Sequence, residues 1–147
     1  MLCVDFWADD NMSAGEEVRK SLASRAAWRR FESNVRRTPH GDKVFAHRGS
    51  TTIALARLLS EIGAAEAAAF DLIYVDAGHA ARDVMADAVL SLRLLRIGGV
   101  VVFDDYGGGA TVGLGVDSFL AAHRGIFELI ESGYQMILRK TAPMTSM

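Results

Sequence analysis

The sequence holds one cysteine, two prolines and no marked excess of either charge, and each scarcity excludes a class of protein. A lone Cys3 cannot form an intrachain disulfide, so this is not a small secreted fold stapled by bridges. Its apolar neighbours Leu2 and Val4 predict a buried, unreactive thiol. Sixteen basic residues against eighteen acidic ones leave a formal charge of −2, which gives nucleic acid no electrostatic footprint. Arg29, Arg30, Arg36 and Arg37 make a local basic spot, read as the solvated face of a helix. No apolar run approaches the ~20 residues of a membrane span. No basic segment followed by an apolar stretch opens the chain, as a signal peptide would require. The expectation is a cytoplasmic protein with neither membrane nor nucleic acid as partner.

What is present is a chain of 147 residues, half of them hydrophobic and 23% charged, which suits one soluble globular domain. The reading places that domain at residues 1–140 and a disordered tail at 141–147.

Apolar periodicity orders the elements. Leu2 to Trp7 reads as a short strand carrying Asp5, followed by a polar loop from Asp9 to Gly15. Val18, Leu22, Ala26, Ala27, Trp28, Phe31 and Val35 recur at helical spacing from about Glu16 to Arg37. Pro39 and Gly41 end that helix. A second strand runs from Lys43 to Arg48, and Ser50 or Thr51 caps the next helix. Ala64 to Ala69 reads as a connector.

Phe70 to Asp76 is apolar on successive residues apart from Asp71, which predicts a strand buried on both faces at the centre of a parallel sheet. An amphipathic helix follows from Ala80 to Arg96, with Val84, Ala88, Leu92 and Leu95 on one face and Asp83 and Asp87 off it. Ile97-Gly98-Gly99 stops it, and Val100 to Asp105 is another buried strand. Tyr106 to Gly115 reads as a mobile glycine-rich loop, and Val116 to Arg124 as a short helix. Phe127–Glu131 and Tyr134–Arg139 alternate around Ser132-Gly133, the signature of an antiparallel hairpin.

Strand and helix thus alternate and close on a hairpin, which specifies an α/β fold: a mainly parallel sheet with helices on both faces. Ligands of such sheets bind beyond the carboxyl ends of the strands, where this sequence carries Asp5, Asp76, Asp104 and Asp105.

The stretch Phe70-Asp71-Leu72-Ile73-Tyr74-Val75-Asp76-Ala77-Gly78-His79 resembles class I S-adenosylmethionine-dependent methyltransferases of the catechol and macrolide O-methyltransferase type. The resemblance continues through Leu94 to Tyr106, with Gly98-Gly99 and Asp104-Asp105, and ends at Ser132-Gly133-Tyr134-Gln135. It implies a Rossmann-like sheet and methyl transfer from S-adenosyl-L-methionine to a hydroxyl of a small molecule, assisted by Mg2+.

By that resemblance Asp5 bonds the cofactor's ribose hydroxyls, with Phe6 beside it, while Gly49, Ser50, Asp76 and Ala77 complete the cofactor site. Relatives place an acid where Ser50 stands, and an ordinary helix cap is the competing role for this serine. Asp5 has a competing role too, as a residue that starts the following loop. Asp76, Asp104 and Asp105 match the positions of cation ligands, and hard carboxylate oxygens suit magnesium. Adjacent strand residues point to opposite faces, so Asp104 and Asp105 share a cation only if the chain turns there. Otherwise one of them caps a neighbouring backbone. His79, with Asp76, is the catalytic candidate, since an imidazole titrates near neutral pH and can serve as general base. A packing or capping histidine at a helix start is the alternative.

The departure from the family is at the front. A first strand and a glycine-rich turn should precede Asp5, yet only Met1 precedes Leu2. The glycines at 107–109 and 113–115 follow the wrong strand to replace that turn. The lacking strand would adjoin the one ending at Asp76 and leave its backbone unpaired. Truncation, a rearranged sheet, or pairing with another chain as a homo-oligomer each accounts for this. Two functional classes stay open: a methyltransferase, or an inactive remnant serving as an oligomerisation or binding module. A nucleotide-binding α/β protein of another family is weakened by the lack of a phosphate-binding turn after the first strand.

Overall fold

A computed structural model describes residues 1–5, 7, 17–63 and 69–144, with only the backbone described for 17–25. The connector expected at 64–69 therefore lies almost wholly outside the described residues, as does the loop after Asp5. Two compact units divide the chain, Met1–Ala54 and Leu55–Met147.

In the first unit, β1 (Leu2–Asp5) and β2 (Phe45–Arg48) pair in parallel, Leu2 opposite Phe45 and Asp5 opposite Arg48. Helix α1 (Glu17–Arg37) makes the crossover, ending before Pro39 as its sequence dictates. Trp7, Trp28 and Phe31 form an aromatic cluster with ring centroids 4.6 to 5.6 Å apart. Cys3 is only half-buried, and burial raises its thiol above the ordinary value, which favours the unreactive protonated form. Arg29, Arg30, Arg36 and Arg37 are exposed, and Arg36 pairs with Glu32 at 3.7 Å. Helix α2 (Thr51–Ile62) follows, its first four residues in this unit and the rest in the second.

The second unit holds β3 (Phe70–Val75), α3 (Ala81–Leu94), β4 (Leu95–Phe103), α4 (Ala110–Ala122), β5 (Phe127–Ser132) and β6 (Met136–Lys140). Its sheet has the order β3-β4-β6-β5, parallel at β3–β4 and antiparallel elsewhere. Val84, Ala88 and Leu92 recur every four residues along α3, so one helix stripe meets Val112, Val116 and Phe119 of α4. Val101 and Phe103 of β4 and Met136 and Leu138 of β6 complete this core from the sheet. Gly115 lets the helices close: a Cβ there would lie 2.7 Å from the Ala81 carbonyl oxygen and 2.9 Å from Val84 Cβ.

Several expectations are corrected. β3 is an edge strand, not a central one: Leu72 and Tyr74 are 60% and 53% exposed, because among the described residues only β4 pairs with it. Helix α3 ends at Leu94, before the glycines, and β4 begins at Leu95, opposite Phe70. The reason is Lys140, only 1% exposed, whose Nζ donates to the carbonyls of Leu92 and Leu95 at 3.0 and 2.8 Å. A cation at a helix C-terminus satisfies carbonyls that the helix itself leaves open. Asp87, expected on the polar face of α3, is buried. The supposed mobile loop is a turn over Asp104–Gly108 leading straight into α4, which starts at Ala110 instead of Val116. Beyond β6, the Thr141 N–H and hydroxyl both donate to the Ile126 carbonyl, and Met144 packs on the core; 145–147 lie outside the described residues. No helix among the described residues is long and apolar enough to cross a membrane.

Candidate active site

Parallel strands deliver their carboxyl ends to one edge of a sheet, and each unit carries acids there. In the first unit Asp5 ends β1, and its carbonyl accepts from the Gly49 N–H at 3.0 Å, so Asp5, Gly49 and neighbouring Ser50 come together. The Asp5 Oδ1 takes the Trp7 N–H at 3.0 Å. Its second oxygen has no hydrogen bond among the described residues, which leaves an exposed acceptor suited to a hydroxyl. The loop-starting role is thus filled by this side chain. Phe6 lies outside the described residues.

In the second unit Asp76 and half-buried Ala77 follow β3 directly. His79 sits two residues before α3, its carbonyl held at 2.7 Å by the hydroxyl of Thr111 in the first turn of α4. Asp104 and Asp105 follow β4. The turn that sharing a cation requires is present. Asp105 adopts the left-handed conformation (φ 55°), tolerable for aspartate, and its carbonyl accepts from the N–H groups of Gly108 and Gly109.

That turn separates the two acids. Asp76, His79 and Asp105 each offer a ligand atom, all within 4.8 Å of one another. The His79 Nε2 lies 3.2 Å from Asp105 Oδ2. Asp104 is not in that group: its Oδ1 takes the Gln135 amide at 2.7 Å, and the Tyr74 phenol bonds it as well. The Gln135 bond above all, helped by Tyr74 and the Asp105 N–H, holds the Asp104 carboxyl below its ordinary range despite desolvation. The Tyr74 phenol is raised, first by desolvation and then by Asp104 and the neighbouring acids. Tyr134 donates its hydroxyl to Asp105, and that bond with the surrounding carboxylates pushes the phenol up to about 12.

Sequence reasoning gave Tyr74, Tyr134 and Gln135 no role at the site. The available signal was a polar Tyr134-Gln135 pair just ahead of the apolar run Met136-Ile137-Leu138, directly after a tight turn.

Oxygen donors from two carboxylates and a ring nitrogen can hold a divalent cation, and the same imidazole can accept a proton. The donor set therefore fits a cation site open to solvent, and the Asp5 acceptor fits a polyol such as a ribose.

Comparisons with known proteins bear on the family and the fold. A family model described as a methyltransferase domain matches residues 1–106. Among curated proteins, none matches the chain. Solved structures do resemble it. The O-methyltransferase NovP shares 16% identity at a TM-score of 0.61, over 96% of this chain and 60% of that one. The apo TDP-rhamnose 3'-O-methyltransferase of calicheamicin biosynthesis shares 14% identity at a TM-score of 0.57, over 94% and 57%. The mycinamycin-pathway methyltransferase MycE, in complex with Mg and SAH, shares 18% identity at 0.52, over 95% and 45%. Their common fold is the Rossmann-like methyltransferase fold, and this chain spans 45–60% of their lengths.

Proposed function

The chain belongs to the methyltransferase domain family, and from that premise we propose that it moves a methyl group from S-adenosyl-L-methionine to a hydroxyl of a small molecule. The observation that carries this reading is the meeting of Asp76, His79 and Asp105 beyond the ends of β3 and β4. MycE, seen with Mg and SAH, supports the choice of cofactor and of a divalent cation, and the O-methyltransferase neighbours support a hydroxyl acceptor.

When bound, the sulfonium cofactor supplies an electrophilic methyl and a divalent cation supplies charge that lowers the pKa of a hydroxyl. The chain's own residues do the rest by positioning. Asp5 would accept from ribose hydroxyls, with Gly49 and Ser50 beside it. Asp76 and Asp105 hold the cation. The His79 Nε2 takes the proton that the acceptor oxygen loses as it gains the methyl, and Asp105 stabilises the imidazolium that results. A second reading makes His79 the third cation ligand, favoured by its place within the same 4.8 Å group. One nitrogen cannot do both.

Methyl transfer from labelled cofactor to hydroxylated small molecules, sugar-bearing ones included, tests the proposal. Transfer should require Mg2+ and vanish in Asp76→Asn. In His79→Ala, lost transfer with retained Mn2+ affinity marks a base; lost affinity marks a ligand. A folded chain that transfers to no acceptor is an inactive binding module instead.

We also infer that the chain forms a homo-oligomer, because the open edge of β3 is a template for pairing. A reducing, cytoplasmic setting suits the free thiol of Cys3 and belongs to the same reading.

A further inference from the structure

We propose that Thr111 is a positioning residue for His79: its hydroxyl ties the backbone of the base to α4 and keeps the imidazole turned to Asp105. This rests on the reading of His79 as the group that takes the acceptor's proton. Helix α4 thereby serves the site as well as the core.

His79 needs such a tie. Its side chain is 61% exposed, so packing does not fix the ring. Helix α3 does not fix its backbone either. The Asp83 and Val84 N–H groups reach back to the Ala80 carbonyl, at 2.9 and 3.1 Å, and stop one residue short. Among the described residues the His79 carbonyl takes its bond from the Thr111 hydroxyl, at 2.7 Å and 32 positions away in sequence. A side chain turns about its own bonds in a few staggered steps, so a fixed backbone leaves the ring few directions. The one it takes brings Nε2 to 3.2 Å from Asp105 Oδ2. A base held in place by a further group is the general arrangement of one ready to accept a proton.

The sequence of α4 explains how Thr111 gets there. Gly115 lies against the Ala81 carbonyl and Val84 because it has no Cβ. Thr111 stands four residues earlier, on the same face of α4, and so meets the residue two before Ala81. The Tyr106 hydroxyl donates to Asp117 Oδ1 at 3.0 Å, which fastens the turn after Asp105 to the same helix. Both halves of the His79–Asp105 pair are thus referred to one helix. Thr111 is itself exposed in the first turn of α4, so its hydroxyl is not there to satisfy a buried group of its own helix. At such a site an isosteric replacement costs the fold little.

Transfer kinetics beside the proton–carbon NMR spectrum of the histidine rings, on the full chain at one pH, test the inference. Thr111→Val keeps the shape and removes the donor. Its kcat should fall by about 10-fold or more with KM unchanged, and the His79 ring signals should move and broaden. His40, His47 and His123 are internal controls whose signals should stay in place; His123 closes α4, so it reports the helix itself. Thr111→Ser keeps the hydroxyl and should restore both the rate and the His79 signals. Wild-type kcat in Thr111→Val overturns the inference and leaves the methyl-transfer reading standing. A fall in kcat with the His79 signals unmoved places the effect elsewhere and overturns it too. Movement of His123 together with His79, or a lowered melt that Thr111→Ser shares, makes Thr111 a structural support of α4, which also overturns it. Full transfer in His79→Ala, or none in the folded wild type, removes the reading of His79 as base, and this inference with it.

Discussion

The two units solve the same problem with unequal means. Each contains a parallel strand–helix–strand crossover, yet among the described residues Trp7 and Ala54 are the only buried hydrophobics of the first, whereas the second buries a continuous core from Val84 to Leu138. A two-stranded sheet gains independent stability only with more strands or a covering helix, and the first unit has its crossover helix α1 for that. The second unit adds an antiparallel hairpin to its crossover and thereby becomes a four-stranded sheet. Among the described residues, two extra strands, rather than a different crossover, separate the smaller core from the larger one.

The largest expected effect breaks the larger core. Phe119→Ala removes a ring that is 1% exposed and should cost about 3–5 kcal/mol, unfolding the second unit in a denaturant titration. Trp28→Ala should instead speed amide hydrogen exchange in α1, β1 and β2 while β4 and β6 stay protected. Loss of protection in both units from either variant would show that they do not differ in this way.

A smaller effect concerns the open edge. Self-association should rise with concentration in light scattering, and Leu72→Lys should suppress it at little cost to the melt, as lysines do on natural edge strands. A monomer at every concentration would mean that β3 needs no partner.

The smallest effect is a titration confined to the second unit, which holds all three tyrosines, Tyr74, Tyr106 and Tyr134. All are raised: Tyr74 first by desolvation, Tyr106 by its bond to Asp117, and Tyr134 to about 12 by its bond to Asp105. A raised folded value gives stabilisation that is present below the unfolded phenol value of about 10 and lost as pH rises through the folded one. Phenolate absorbance should therefore develop later in the folded protein than in urea, and Tyr134→Phe should remove the last step. A folded titration overlying the urea curve would dismiss these bonds.

What could be read from the sequence was local. The apolar runs ending in Asp76 and Asp105 mark their own strands, and the four-residue spacing of Val84, Ala88 and Leu92 marks α3. Its end was misplaced because Leu95 continues the helical spacing, while the residue that closes the helix lies 45 positions further on. The start of α4 was missed because Gly113 and Gly115 are poor helix formers, and the close approach of Gly115 to Ala81 and Val84 outweighs that preference. At the site, Asp76 and His79 were legible as near neighbours in sequence. The parting of Asp104 from Asp105 was not, since it depends on a hairpin tip folding back from residues 134 and 135.

Strand order has a consequence for synthesis. β6 lies between β4 and β5, so β5 leaves the ribosome before the strand it must pair with exists. Until Lys140 emerges, the carbonyls of Leu92 and Leu95 also lack the ammonium that caps them. The nascent second unit therefore carries an uncovered β4 edge and an unclosed helix until β6 emerges. It has to fold late and all at once, with an exposure to aggregation that grows with the time spent waiting for its last strand.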